Sequence, residues 1–510
     1  MQQYLSCEAL VFSAKKEGSR EFEYALPEYL PGISRIIKST ASVEKAVSKY
    51  EADQLFCDIY LKVGIIYVSD FGGKIKSIFF DEIISVPMGT VADNDTENVT
   101  VPSSYISSVS ARPQNPRKFT VSCNYNASTI VLRETNTQML AESKEDGICT
   151  LRETKNLCKK ITLSELHCEH SGETTLDSQE KSVEEIVYAD AVFCGASCTV
   201  SDSRIDYEGK FMLHIMYETE NDNASENPLY SVVKIPISVK DSIENEKIKS
   251  SQQGFVYLDA AQPETSFSFD GYGENRVISF NLKYSVFPVL FEKYTAEASV
   301  DAFSEKNAGS PVISEVFVNI HRHTVSDNIR ITETIKSDIK DIAQISDCVA
   351  KILSVTMEYS ESKIFAAAKC LISTYGITKN AELTCSDNIV TLHIPIMQGT
   401  TIERSCVPEI LLSVHNCAAE IREGALLCTF DISVDGVVTE KAGISVVTSM
   451  ETDGNTVPKK KNGEITICYP AQNETLWNIA KKHLVNPGAI LRANNLENDD
   501  ISSKHILLIP

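Results

Sequence analysis

The sequence predicts a mainly β protein: three tandem β-sandwich-like modules with short helices, plus a small C-terminal βααβ domain. Three observations predict it. One pattern of apolar and aromatic residues recurs three times. Most segments alternate, or run β-branched, over four to eight residues between Gly, Asn, Asp and Ser. The last 47 residues change character after a lysine-rich break.

At 510 residues the chain exceeds what one hydrophobic core organises, so several domains are expected. With 43% hydrophobic and 23% charged residues it reads as folded throughout. Seventy acidic against 48 basic residues leave a net charge of −22. Nucleic-acid phosphates require a basic face, so no nucleic-acid partner is expected. The N-terminal residues lack a basic segment followed by an apolar one, and no run is long enough to span a bilayer. No membrane insertion is expected, and the fifteen scattered cysteines read as reduced thiols of a cytoplasmic protein.

The repeat is read from three windows, Cys57 to Tyr67, Tyr207 to Tyr217 and Phe365 to Tyr375, laid on their terminal tyrosines. Prolines follow at Pro87, Pro236 and Pro395. Ile36, Ile186 and Ile345 precede, with Val43, Phe193 and Ile352 seven residues later. The tyrosines are 150 and then 158 residues apart. Polar breaks at 145–147 and 307–310 divide the body into modules 1–147, 148–310 and 311–456. Phe119 to Cys123, Val277 to Asn281 and Ile410 to Val414 compare in the late half of each. Asp435-Gly436 reads as a hairpin turn, and Phe71-Gly72-Gly73 and Asn221-Asp222-Asn223 sit between strands. Helical spacing is confined to Ile33 to Ser48, Ser182 to Asp190 and Asp338 to Lys351, one stretch per module. Copies of a sandwich joined in line would form a spacer or platform.

The run Tyr24-Ala25-Leu26-Pro27-Glu28-Tyr29-Leu30-Pro31-Gly32-Ile33, with Val63-Gly64-Ile65-Ile66-Tyr67-Val68, resembles the SPOCS domain of spore coat proteins.

Residues 457–463, with one proline, three lysines and Asn462-Gly463, read as a linker to the domain 464–510. In that domain Ile465, Ile467 and Tyr469 alternate as a strand. Thr475 caps a helix whose buried stripe is Leu476, Ile479 and Ala480. Asn486 caps a second helix with Pro487 at its first position, packed through Ile490 and Leu491. His505 to Pro510 returns as a strand. The segments Asn473 to Lys482, Ile490 to Leu496 and Leu507 to Pro510 resemble the LysM domain. Three SPOCS-like modules followed by LysM resemble the SipL-like family of spore morphogenesis proteins.

LysM domains bind N-acetylglucosamine polymers between two loops. The resemblance places that site at Asn473, Glu474, Thr475 and Leu476 with Asn498, Asp499, Asp500, Ile501 and Ser502. Trp477, the only tryptophan, is read either as core packing beside Leu476 or as a half-exposed interface anchor. Ile465 would extend an apolar contact. The resemblance also implies a protein partner, stage IV sporulation protein A or another coat morphogenetic protein, and recruitment from the mother-cell cytoplasm to the forespore surface. The alternative is peptidoglycan.

No catalytic motif is present, and no catalytic residue, metal or cofactor is expected. Cys158, His167, Cys168 and His170 have metal-ligand chemistry at a spacing that fits no standard zinc pattern. His415 and Cys417, two residues apart on a strand, should share a face. Gly271 to Arg276 reads as a hairpin turn. The chain is therefore expected to be a scaffold and not an enzyme.

Overall fold

The computed structural model describes residues 3–91, 98–143, 147–220, 229–336, 342–360, 363–397, 406–456, 466–471, 474–501 and 506–510. Over these residues the protein is mainly β, with several sheets and two short helices near the C-terminus.

One strand plan occurs three times. Unit one comprises β1 (Gln3–Ala25), β2 (Ile33–Glu51), β3 (Gln54–Ser69), β4 (Ile75–Thr90), β5 (Val99–Asn115) and β6 (Lys118–Met139). Its second, third and fourth strands form one sheet, β2-β3-β4; the remaining three form another, β1-β6-β5. Unit two has β7 (Ile148–Thr162), β8 (Leu166–Thr175), β9 (Val183–Ser201), β10 (Arg204–Thr219), β11 (Tyr230–Glu244), β12 (Gln253–Ala260), β13 (Glu264–Phe269) and β14 (Asn275–Ser304). Here β9-β10-β11 is the middle sheet, and β14 pairs β7 and β8 on one side and β12 and β13 on the other. Unit three has β15 (Asn307–Ile335), β16 (Ile342–Ser360), β17 (Lys363–Thr378), β18 (Leu383–Ile396), β19 (Cys406–Arg422) and β20 (Ala425–Thr456), paired as β16-β17-β18 and β15-β20-β19. Each unit closes its own core between its two sheets, with Phe119, Phe211 and Phe430 among the fully buried side chains.

The three stretches with helical spacing are strands: β2, β9 and β16. Each carries three bulges at matching positions: Ser34, Ile37 and Glu44; Glu184, Val187 and Cys194; Ala343, Ser346 and Leu353. Every inserted residue stretches the alternation from two to three positions. Ile33, Ile36, Val43 and Ala46 thus face one core at intervals that imitate a helix. The prediction of short helices within the modules fails for this reason.

The bulges also correct the register. Ile36 pairs Tyr67 and Ile186 pairs Tyr217, but Ile345 pairs Gly376. Tyr375 therefore occupies the position of Ile66 and Met216, and aligning the tyrosines puts the third copy out by one. Pro87 and Pro395 lie opposite Phe56 and Phe365, whereas Pro236 lies farther along, opposite Met212. Of the three late segments, Phe119 to Cys123 and Val277 to Asn281 lie on the last strands β6 and β14, and Ile410 to Val414 on the penultimate strand β19. Gly72 and Gly73 do turn between strands, with positive φ. Asp435-Gly436 is no hairpin: it lies inside the 32-residue β20. Gly436 is required there because a Cβ would stand 2.1 Å from the Glu409 carbonyl oxygen. The turn comes at Glu423-Gly424, both with positive φ. Asn221 to Asn223 lie outside the described residues.

The units are not strung in line, because each touches both others. Lys74 and Lys76 of unit one pair Glu184 and Glu185 of unit two. Asp347 of unit three accepts from Tyr188 (3.1 Å) and meets His214 Nδ1 (2.9 Å), both of unit two. Lys38 of unit one donates to Ser373 (2.8 Å) and Tyr375 (3.0 Å) of unit three. The three middle sheets share an apolar cluster that includes Ile66, Tyr188, Met216, Val349 and Tyr375. A second shared cluster, with Leu5, Met139, Leu157, Ala298 and Val446, joins the long outer strands.

Candidate binding site in the C-terminal domain

After β20 the described chain resumes with β21 (Thr466–Cys468), α1 (Leu476–His483), α2 (Pro487–Ala493) and β22 (Leu507–Ile509). The two strands pair antiparallel. Thr475 caps α1, its hydroxyl accepting from Asn478 N at 3.2 Å; Asn486 caps α2, accepting from Gly488 N at 2.9 Å. Leu476, Ile479, Ala480, Ile490, Ile501, Leu507 and Ile509 make a core in which each is at most 5% exposed. Leu491 packs against it.

The loop residues named from the sequence are positioned as follows. Glu474 closes the turn before α1: its backbone N–H donates to Ala471 O (3.1 Å), and its carboxylate accepts from Ala471 N (2.9 Å). Thr475 is exposed at the cap. Asn498, Asp499 and Asp500 are exposed, with Asn498 Oδ1 accepting from Asp500 N at 3.1 Å. Leu476 and Ile501 point into the same core and tie the two loops together, so only their backbone is available to a ligand. Ile465, Asn473 and Ser502 lie outside the described residues.

Trp477 packs, partly buried, against the core that contains Leu476 and also reaches unit two. Its ring packs on Phe303 of unit two (5.1 Å between centroids), and Nε1 donates to Asp301 Oδ2 at 2.8 Å. Lys481 reaches the same carboxylate at 2.6 and 2.8 Å. Burial would raise the Asp301 pKa, but these two donors outweigh it and hold the carboxyl below its usual value. Glu305 accepts from Asn486 N at 2.5 Å, and Cys149 joins the domain's core. The domain is therefore seated on the ends of β7 and β14. The indole spent in that seat had only its rarity in the sequence to mark it.

Two further features escaped the sequence. Asn494 bridges α2 to β22: Nδ2 donates to Ile490 O and Leu508 O, and Oδ1 accepts from Leu508 N, all at 2.7–2.8 Å. On β21 the buried residue is Cys468, whereas Ile467 faces outward opposite Leu508, and Tyr469 and Ile506, next to the paired strand ends, are exposed as well. All four are 39–70% exposed. The alternation of Ile467 and Tyr469 was visible in the sequence, but not which side it faced.

The imagined chemical clusters are dispersed. His167 Nδ1 lies 3.0 Å from Ser285 Oγ and 3.5 Å from Glu165, while Cys168 abuts Tyr207 and Cys158 is buried with Phe291 and Val437. No group of three or more His, Cys, Asp or Glu among the described residues is placed to hold a metal ion. His415 and Cys417 do not share a face. His415 is itself a bulge and is exposed against Ser433, whereas Cys417 is buried with its sulfur 3.4 Å from that of Cys348. The Gly271 to Arg276 segment does turn between strands, organised by the Asp270 carboxylate.

A βααβ fold with two loops bound into one core defines a small recognition module. A LysM domain is found at residues 471–510, matching the family model of that description. A LysM domain is consistent with binding of peptidoglycan or a related carbohydrate. No curated protein matches the chain. Among solved structures, a lipopolysaccharide binding protein aligns at 9% identity over 53% of this chain and 92% of that one. Its TM-score of 0.09 carries no argument about fold. No helix among the described residues is long and apolar enough to cross a membrane.

Proposed function

We propose that the chain is a non-enzymatic scaffold of endospore coat assembly that binds stage IV sporulation protein A, the coat-basement ATPase, through its LysM domain. The SPOCS-like residues Tyr24 to Ile33 and Val63 to Val68 support the setting. The single observation that carries the mode of action is the outward apolar strip of Ile467, Tyr469, Ile506 and Leu508. Exposed aromatic and aliphatic side chains grouped on a rigid sheet are what a protein partner buries. With Trp477 committed to Phe303 and Asp301, this strip is the recognition surface, and the three-unit body holds it at the ends of β7 and β14. The protein works in the mother-cell cytoplasm and is recruited to the forespore surface.

The LysM match favours a second reading, in which the loops holding Glu474 and Asn498 to Asp500 bind peptidoglycan. One experiment separates the two. Full-length wild type, Tyr469→Ala and Glu474→Ala are each tested for capture of the ATPase from sporulating-cell extract and for retention on insoluble peptidoglycan. The scaffold reading expects capture that Tyr469→Ala weakens about tenfold or more, an effect of hot-spot size. Retention on peptidoglycan that Glu474→Ala abolishes, with no ATPase captured, would replace it by the glycan reading.

A further inference from the structure

Between the three units lies a cavity of about 330 Å³, a volume in the range of small-molecule sites. Its wall draws on β2 and β5 of unit one, β9 and β12 of unit two, and β16 through β19 of unit three. Five charged side chains line it, and they do not cancel: Lys38 and Lys351 against Asp190, Asp259 and Asp387. Lys38 pairs Asp387 at 3.3 Å, and Lys351 pairs Asp190. Asp259 is left over. Its carboxylate takes the backbone N–H of Ala260, and Lys351, already engaged, exerts only a longer-range pull.

The strand explains why this carboxylate is in the cavity. On β12, Val256, Leu258 and Ala260 face the core of unit two, so Tyr257 and Asp259 face the other way, into the junction. Tyr257 packs edge-on against Phe193, 5.0 Å between centroids, and both rings line the same space. Enclosure by the three units pushes the Asp259 carboxyl above its ordinary range, while the side chain keeps its surface open to the cavity.

A carboxylate open to the cavity and outside its two ion pairs, beside two aromatic rings, calls for one complement. A neutral polyol would leave the charge unanswered, and an anion would add to it. We propose that the junction cavity binds a small organic ammonium ion, with its cationic head on Asp259 and against Tyr257. Because all three units supply the wall, such a ligand would bind the assembled body and none of its units alone.

Calorimetric titration of the full chain with n-butylammonium chloride tests this, with n-butanol as the uncharged match in shape. Saturable one-to-one binding of the ammonium is expected, with no saturable heat from butanol. Asp259→Asn should weaken it about tenfold, as loss of a charge partner inside a cavity does. Asp259→Ser serves as the second variant, and circular dichroism confirms that both fold. Absence of saturable binding to wild type up to about 10 mM, near the weak limit of specific affinity, overturns the proposal. So does butanol binding equal to the ammonium, or undiminished affinity in both folded variants.

Discussion

Units two and three share one plan and use the tyrosine near the end of the middle strand in opposite ways. In unit two, Tyr217 points into its own core, fully buried, with its hydroxyl 3.3 Å from Glu180. In unit three the tyrosine falls one residue earlier. A slip of one position on a strand reverses the face. Tyr375 therefore leaves its unit's core, stacks on Tyr188 of unit two (4.3 Å between centroids, 18°) and holds Lys38 of unit one. The position facing inward is left to Gly376, where Ile342 fills the space: an added Cβ would stand 2.6 Å from Ile342 Cγ2. The same residue type stabilises one unit in one case and the joint of three in the other. Tandem copies can thus acquire a shared core by moving a single aromatic along the strand.

The sharpest break of that comparison is to truncate each ring. Tyr217→Ala and Tyr375→Ala should each cost about 3–5 kcal/mol, the usual range for emptying a buried aromatic site. The totals will not separate them, but amide exchange will. Loss of Tyr217 should loosen β9, β10 and β11 alone, while loss of Tyr375 should lower protection in β2, β9 and β16 together. Identical exchange maps would mean that the two tyrosines do the same work.

Asp347 is the charged counterpart of Tyr375 at the joint. Its side chain is fully buried, and it meets His214 and Tyr188 with Lys234 3.3 Å away. Burial pulls its pKa upward, but the His214 hydrogen bond and charge, with Lys234 and Tyr188, prevail and hold it below the usual carboxylate range. A carboxyl whose folded pKa is depressed contributes stability above its unfolded pKa and loses it as pH falls through the folded value. The joint between units two and three should therefore loosen below about pH 4. Asp347→Ala, which strands His214 and Lys234, should cost about 3–5 kcal/mol at pH 7 and flatten that acid step in urea titrations. A smaller test bears on register. Gly376→Ala should cost about 1–3 kcal/mol by overpacking against Ile342 and the Gln344 carbonyl. A neutral result in thermal melts would show that Tyr217 and Gly376 are not equivalent positions.

The β class, the cap residues Thr475 and Asn486, and the stripe Leu476, Ile479 and Ala480 were legible because local chemistry decides them. The bulges were not. Ser34, Ile37 and Glu44 carry no composition signal, and their effect on spacing imitates a helix, so β2, β9 and β16 were misread together. Reversal of face at Tyr375 was hidden for a related reason: a tyrosine is the natural anchor for an alignment, and here it is the residue that moved. In the candidate site, the loops were located by likeness to LysM. Asp301 and Phe303, more than 170 positions from Trp477, could not be paired with it by any local rule.

That long-range seat provides the mildest test and extends the comparison to a second joint. The junction of the three units is sealed by aromatic stacking and a fully buried carboxylate, whereas the LysM seat combines one ring pair and a partly exposed ion pair with the Glu305 and Cys149 contacts. Asp301→Asn keeps the shape and removes the charge that Lys481 answers. An exposed pair of this kind contributes about 1 kcal/mol, so the seat should loosen while the βααβ core remains folded. Trp477, the chain's only tryptophan, reports this directly: released from Phe303, it should emit at longer wavelength and become open to iodide quenching. Acid should do the same to wild type, since the Asp301 carboxyl also sits below its usual value and loses its contribution as pH falls below about 4. The variant should show no such step. A tryptophan signal that Asp301→Asn leaves unchanged, in emission and in acid titration, would mean that the Asp301–Lys481 pair does not hold the domain and that Phe303, Cys149 and Glu305 do.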